Sequence, residues 1–209
     1  LASQALGRLI PETAATALQA KLSDAGVQWH FNTTVQTVDR SGATLSVALT
    51  NGTKINCDFV LSAVGLKPRI ELAQACGIST SAGIQVNREL QTNLPDVYAL
   101  GDCAEVEGLV LPYVMPIMQA ARALAQTLTG QRTALTYPAM PVMVKTPALP
   151  TIVSPPAKGA NGQWKTQNIE GGVEARFESH DGKLLGFVLM GAATAQRAAL
   201  SKELPPILA

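Results

Sequence analysis

Residues Thr92–Ala104 read T-N-L-P-D-V-Y-A-L-G-D-C-A, the most informative stretch of the chain. Within it, Val97–Leu100 favours a short buried strand that leads directly into Gly101 and Asp102. Ligands of α/β sheets bind beyond the carboxyl ends of strands, and a glycine there allows close approach of the backbone. A carboxylate at that position can accept hydrogen bonds from a sugar-like hydroxyl. The alternative for Gly101-Asp102 is an ordinary turn.

A helix is predicted downstream of this stretch. Ile117 and Leu124 lie on one helical face that continues until Gly130, after a rigid connector that ends at Pro116. The first N–H groups of a helix have no partner within it, and they favour negative charge. We therefore expect the N–H groups around Ile117 and Met118 to face an anionic ligand.

Upstream, one helix is followed by strand patterns. Pro11-Glu12 begins the helix and Gly26 ends it, whereas Asn51-Gly52 is a strong hairpin signal. Phe59–Val64 is a continuous apolar run, as in a strand buried on both faces, and it ends in the loop Gly65–Pro68. The other strands predicted in this part are Val27–Phe31, Thr34–Asp39, Leu45–Leu49 and Lys54–Cys57.

The rest of the chain changes character near residues 66 and 137. A short helix over Glu71–Cys76 and a strand over Gly83–Val86 are predicted between these two positions. From Tyr137 onward prolines are frequent, and no strong helix is predicted before the last residues. The elements predicted there are an alternating strand with Val173, Ala175 and Phe177, a turn at Asp181-Gly182, a strand over Leu184–Met190 and a helix over Ala192–Lys202.

The composition excludes several classes of protein. Hydrophobic residues make up 47% and charged residues 15% of the sequence, with a net charge of +1. Disorder requires low hydrophobicity, and a membrane-spanning helix requires about 18 apolar residues in a row, which the sequence lacks. No basic–aromatic interleaving suggests nucleic-acid binding. The three cysteines are odd in number and form no C-x-x-C pair, so we expect a reducing, cytoplasmic setting. The two histidines show no ligand spacing, so we expect no metal site.

Three segments together resemble one family. Residues 92–104 are similar to the second FAD signature of flavoprotein reductases that have two dinucleotide-binding domains. Asp58–Pro68 resembles the strand that closes their NAD(P)H domain, and Met140–Pro150 with the tail after it resembles the rubredoxin-binding domain of NADH:rubredoxin reductases. The resemblance implies an α/β fold: an incomplete two-dinucleotide-binding-domain (Rossmann-like) flavoprotein followed by a small α+β C-terminal domain.

The same resemblance divides the chain. Residues 1–66 would be the C-terminal part of the NAD(P)H-binding domain, 67–137 the C-terminal part of the FAD-binding domain, and 138–209 the rubredoxin-binding-like domain. Both glycine-rich phosphate loops of the family are missing, since no G-x-G-x-x-G occurs in the sequence. The chain is therefore expected to be the C-terminal half of a reductase and, alone, to bind FAD weakly or not at all.

The resemblance also implies the cofactor-binding residues. Asp102, with Gly101, would contact the ribityl chain of FAD. Ile117 and Met118 would provide N–H groups near the pyrimidine end of the flavin. Gly65 would let the nicotinamide cofactor, NADH, approach the backbone, unless it is only a loop glycine. No side chain is needed as a general acid or base, so no catalytic residue is predicted.

The partner implied by the resemblance is rubredoxin or a similar small acidic electron carrier. Lys145 would lie beside the flavin, where an ammonium stabilises an anionic reduced flavin; the alternative is a solvated surface lysine. Independently, no Asp or Glu occurs between Gly108 and Ile169, and positive potential there would speed encounter with an acidic protein. The alternative is an apolar stretch of an ion-poor protein. The cations of this stretch are Arg122, Arg132, Lys145, Lys158 and Lys165.

The implied activity is electron transfer from NADH through FAD to rubredoxin. One alternative stays within the superfamily: a flavorubredoxin or ferredoxin reductase with another acceptor. The other is a remnant without cofactor that only binds a partner. Absorbance near 450 nm would separate a flavoprotein from such a remnant.

Overall fold

The chain forms two compact units in the computed structural model, which describes all 209 residues. The first unit contains Leu1–Ala63 and Pro141–Pro205, and the second contains Val64–Met140 and Pro206–Ala209. The division at residues 66 and 137 concerns the domains of the family and stays a prediction. None of the helices is long and apolar enough to cross a membrane.

In chain order, the elements are α1 (Glu12–Asp24), β1 (Val35–Ser41), β2 (Thr44–Leu49), β3 (Lys54–Cys57), α2 (Glu71–Ala75), β4 (Ile84–Val86), β5 (Ala104–Val106), α3 (Val114–Leu128), β6 (Val142–Val144), β7 (Thr151–Ser154), β8 (Gln163–Ile169), β9 (Gly172–Glu178), β10 (Leu184–Gly191) and, after a 3₁₀ helix at Ala192–Gln196, α4 (Arg197–Glu203).

The first helix and the hairpin after it form as predicted. α1 begins directly after Pro11 and buries one face, which includes Ala14 and Leu18. β1, β2 and β3 form an antiparallel sheet in that order. The turn between β2 and β3 contains Gly52, whose φ of +87° is the left-handed conformation that a glycine adopts without strain.

Two strands predicted in this part are wrong. Val27–Phe31 has no strand partner; the rings of Trp29 and Phe31 stack with centroids 5.5 Å apart and pack against the core of the first unit. Phe59–Val64 is neither paired nor buried, and Phe59 is 73% exposed. A buried strand needs hydrogen-bonded neighbours for its backbone, and no strand of this chain lies beside Phe59–Val64.

A five-stranded antiparallel sheet forms the C-terminal part of the first unit, with the strand order β6-β7-β10-β9-β8. The predicted hairpin of β9 and β10 is confirmed, with Val188 opposite Ala175. The central strand β10 is buried on both faces. Val188 and Met190 share a core with α1, whereas Phe187 and Leu189 share a second core with α4, the confirmed C-terminal helix.

The second unit combines α2, α3 and a short parallel ladder. The predicted α2 and β4 are confirmed, but β5, which pairs with β4, was not predicted. Val86 of β4 and Val106 of β5 form a core with Ala120 and Leu124 of α3. This core holds the segment that follows Gly101 in a fixed position beside β4.

Gly83 permits the close approach of β4 to the chain before β5. A Cβ atom at Gly83 would lie 2.8 Å from the carbonyl oxygen of Cys103 and 3.1 Å from Cβ of Glu105. The Gly83 N–H donates to Oε2 of Glu105 at 2.8 Å, which satisfies a carboxylate that is only 8% exposed. A methyl group on residue 83 would therefore clash with the backbone at Cys103. Moving β4 away to make room would break the hydrogen bond to Glu105.

Gly83→Ala is therefore expected to lower the free energy of unfolding by about 1–3 kcal/mol, the usual cost of overpacking a core. The measurement is urea unfolding followed by far-ultraviolet circular dichroism. Ser81→Ala, a change at an exposed neighbour, is the control. Equal stability of the two variants would contradict the close approach.

Candidate functional site

Asp102 lies in a cleft of the second unit that has a volume of about 460 Å³. Its side chain is exposed and belongs to none of the three ion pairs of the chain, so both carboxylate oxygens are free to accept hydrogen bonds. The residues lining the cleft are Leu66, Lys67, Pro68, Arg69, Ala82, Asp102, Cys103, Val110 and Pro112.

A turn presents Asp102 to this cleft. Gly101 adopts a φ of +87°, as a tight turn between two segments requires. The strand predicted over Val97–Leu100 is wrong: only Tyr98 makes an isolated bridge, because the segment opposite, residues 90–92, is itself a loop. The regular strand, β5, follows Asp102, so the carboxylate precedes a strand instead of ending one.

The helix after the cleft begins earlier than predicted. α3 starts at Val114, and Pro116 lies in its first turn. N–H groups in the first turn have no partner within the helix, so a proline there costs no hydrogen bond. Ile117 and Met118 come directly after Pro116 in this helix, and the assignment of partnerless N–H groups to them stays a prediction. Neither residue lines the cleft, and their contact with a flavin stays a prediction.

Gly65 and Lys145 are both exposed. Gly65 has a φ of +103°, and a Cβ built there would have no heavy atom within 4 Å. The backbone conformation, and not a lack of space, therefore favours glycine at this position. The next residue, Leu66, lines the cleft. Lys145 belongs to the first unit, directly after the edge strand β6, and forms no ion pair. Their roles toward NADH and the flavin stay predictions.

Two tyrosines of the second unit are uncharged. Burial raises the pKa of Tyr113, and burial together with the nearby Tyr113 raises the pKa of Tyr137. At neutral pH both phenols therefore keep their protons. The charge of the cleft is set by Asp102, Lys67 and Arg69.

Lys67 and Arg69 were not identified as site residues from the sequence. The structure places both in the same cleft as Asp102, together with the half-buried Cys103. The signal available was the Lys-Pro-Arg triplet after Gly65, since residues on either side of a proline in an extended segment point to the same side.

The chemistry of the cleft fits a flavin nucleotide. Asp102 provides acceptors for sugar-type hydroxyl groups, and two cations provide charge opposite to that of a phosphate. Ala82, Val110 and Pro112 provide apolar walls. A pocket with mainly apolar walls and a few convergent polar groups is the usual form of a small-ligand site.

Two families match the chain in succession. Residues 1–127 match the pyridine nucleotide-disulphide oxidoreductase family, and residues 134–204 match the rubredoxin binding C-terminal domain. The first match covers more than half of the chain and includes every residue that lines the cleft. The second includes Lys145 and the whole five-stranded sheet.

Curated relatives and a solved structure agree with these matches. The chain is 48% identical over its full length to the rubredoxin-NAD(+) reductase of Acinetobacter baylyi, and 46% identical over 96% of its length to that of Alcanivorax borkumensis. It spans only 54% and 53% of the lengths of these relatives. A ferredoxin reductase from Rhodopseudomonas palustris matches 100% of the chain and 54% of its own, with a TM-score of 0.84 and 25% identity.

These findings confirm the resemblance and the fold class that the motifs implied, an incomplete flavoprotein reductase fold followed by a small C-terminal domain. The chain belongs to the pyridine nucleotide-disulphide oxidoreductase family.

Proposed function

We propose that the chain is the C-terminal half of a cytoplasmic reductase that passes electrons from NADH through FAD to rubredoxin. The observation that carries the proposal is the order of the two families in one chain, a dinucleotide-linked oxidoreductase followed by a rubredoxin-binding domain. The three free cysteines support a reducing compartment. Of the two alternative electron acceptors, ferredoxin is not favoured by the C-terminal match, whereas flavorubredoxin stays open, because the match to relatives named FlRd-NAD(+) reductases extends over 98% of the chain.

The protein's part in this reaction is to bind and to orient. FAD, when bound, would supply the hydride and one-electron redox chemistry. Asp102 accepts hydrogen bonds from the ribityl hydroxyls and fixes the position of the nucleotide in the cleft. Lys145 places a positive charge on the C-terminal domain, where it attracts an acidic carrier. No side chain moves a proton in this scheme.

The proposal can be tested with a hybrid reductase. In it, this chain replaces the matching part of the Acinetobacter baylyi relative and is joined to the rest of that relative, which it does not match. We expect the hybrid to hold FAD and to reduce rubredoxin with NADH. Reduction of ferredoxin in preference to rubredoxin would favour the alternative acceptor, and a hybrid that holds FAD without reducing either carrier would refute the proposal.

The 209-residue chain alone is expected to purify without stoichiometric flavin and to show no NADH-dependent activity. The reason is the lack of a glycine-rich loop, which would supply the backbone N–H groups that hold a dinucleotide phosphate. The measurement is the ratio of absorbance at 450 and 280 nm. A fully yellow protein purified from this chain would contradict the prediction.

Lys145→Glu in the hybrid is expected to slow the second-order reaction with rubredoxin by about five- to tenfold. An exposed charge pair is worth about 1 kcal/mol, and charges at the rim of an interface act mainly on the association rate. The rate should recover partly at high salt, with flavin reduction by NADH unchanged. A lower flavin reduction potential at every salt concentration would instead indicate that Lys145 tunes the flavin.

Lys202→Glu is the matched control, because Lys202 is also an exposed lysine of the first unit but lies outside the acid-free stretch. Rubredoxin kinetics identical in the two variants, together with an unaltered flavin potential, would leave Lys145 as an ordinary surface lysine.

A further inference from the structure

Two cations project into the Asp102 cleft without partners in the chain. Lys67 and Arg69 both line the cleft and are exposed. The three ion pairs of the protein join Lys165 to Glu178, Arg176 to Glu174 and Lys183 to Asp181, so they involve neither residue. The positive charge of this pair is thus available to a ligand.

The backbone explains why both side chains reach the same place. Pro68 separates them, and the residue before a proline is restricted to extended conformations. In an extended segment, residues two apart point to the same side. The lining of the cleft by both Lys67 and Arg69 agrees with this spacing.

Charge in the cleft favours an anion. Asp102 is the one acidic residue among the lining residues, opposed by the two cations, so the cleft as a whole is positive. Two like charges held in one cleft repel each other, and an anion bound there relieves that repulsion. Arg69 can bind two phosphate oxygens at once with its planar fork, whereas Lys67 binds as a compact point charge.

Resting on the proposed function, we infer that Lys67 and Arg69 bind the diphosphate of a dinucleotide whose sugar-type hydroxyls are held by Asp102. This half of the protein has no glycine-rich loop, so the phosphate contacts that it makes come from side chains. The diphosphate belongs to FAD if Asp102 and the cation pair hold one molecule; NADH carries the same group.

The first test uses the 209-residue chain itself, with inorganic pyrophosphate as the probe. In a titration of the ¹⁵N-labelled chain, the backbone signals of Lys67, Arg69 and Asp102 should shift together. Lys67→Gln/Arg69→Gln should weaken binding by about ten- to thirtyfold, as expected for the loss of two exposed charge contacts. Higher salt should weaken pyrophosphate binding by the parent chain and have little effect on the double variant.

The control removes the same charge elsewhere. Arg122→Gln/Arg132→Gln takes two exposed, unpaired arginines from the second unit, and neither lines the cleft. Its pyrophosphate affinity should equal that of the parent chain. The inference is overturned if the parent chain shows no shift at the cleft, or if the two double variants lose affinity equally.

The second test identifies the source of the diphosphate, in the hybrid reductase. Loss of FAD affinity in Lys67→Gln/Arg69→Gln with unchanged affinity for ADP-ribose assigns the pair to FAD. The reverse pattern assigns it to the nicotinamide dinucleotide, and unchanged affinity for both overturns the inference. Failure of the proposed function has a different signature: the parent hybrid binds FAD and ADP-ribose but does not reduce rubredoxin.

Discussion

Asp102→Ala in the hybrid reductase is expected to raise the dissociation constant of FAD by about ten- to a hundredfold. A hydrogen bond to a charged acceptor contributes about 1.5–3 kcal/mol, and 1.4 kcal/mol corresponds to a tenfold change in affinity. The side chain is exposed and forms no ion pair within the chain, so its removal leaves the fold without an unsatisfied partner. The loss should therefore appear in cofactor retention and not in stability.

The measurement is flavin fluorescence during equilibrium dialysis, with the thermal midpoint of the FAD-free protein recorded beside it. Asp102→Asn separates the charge from the shape, because an amide oxygen still accepts a hydrogen bond, and it should lose less affinity than Asp102→Ala. Glu71→Ala removes one exposed carboxylate from α2 of the same unit, outside the cleft, and should leave FAD binding unchanged. If Asp102→Ala releases FAD no faster than Glu71→Ala does, the assignment of Asp102 fails.

Local patterns predicted those elements whose partners are close in sequence. The β9–β10 hairpin was predicted because apolar residues alternate on β9 and Asp181-Gly182 provides the turn. β8 was not predicted, since this edge strand exposes most of its residues and carries mainly polar side chains. Phe59–Val64 shows the opposite error: an apolar run indicates a strand only if neighbours exist to pair with it, and this chain contains none.

The candidate site was predicted in the same partial way. Asp102 was identified because its motif is contiguous in the sequence. Lys67 and Arg69 were not identified, because the Lys-Pro-Arg triplet alone does not show their proximity to Asp102, which depends on a contact between segments more than thirty residues apart. α3 begins at Val114, earlier than the sequence predicted, because Pro116 lies in the first turn of the helix instead of before it.

Phe187→Ala is expected to lower the free energy of unfolding of the first unit by about 3–5 kcal/mol. Phe187 lies on the central strand of the five-stranded sheet and is 0% exposed, in a core with Ile152, Leu189 and Leu200. Truncation removes the buried ring and leaves a cavity that strands on both sides prevent from closing. Since domains are stable by only about 5–15 kcal/mol, this loss is enough to melt the rubredoxin-binding domain at moderate temperature.

Tryptophan fluorescence reports this loss selectively, because both tryptophans of the chain, Trp29 and Trp164, lie in the first unit. Phe59→Ala is the matched control: it makes the same chemical change at a phenylalanine of that unit that is 73% exposed, and it should change stability by less than about 0.5 kcal/mol. In urea, the fluorescence midpoint should fall sharply for Phe187→Ala and stay near the parent value for Phe59→Ala. Rubredoxin reduction by the hybrid should be lost as the first unit of Phe187→Ala melts, since the docking domain is then unfolded. Equal midpoints for the two variants would mean that β10 is not the centre of the C-terminal sheet, and a melted first unit that still reduces rubredoxin at the parent rate would place the docking surface elsewhere.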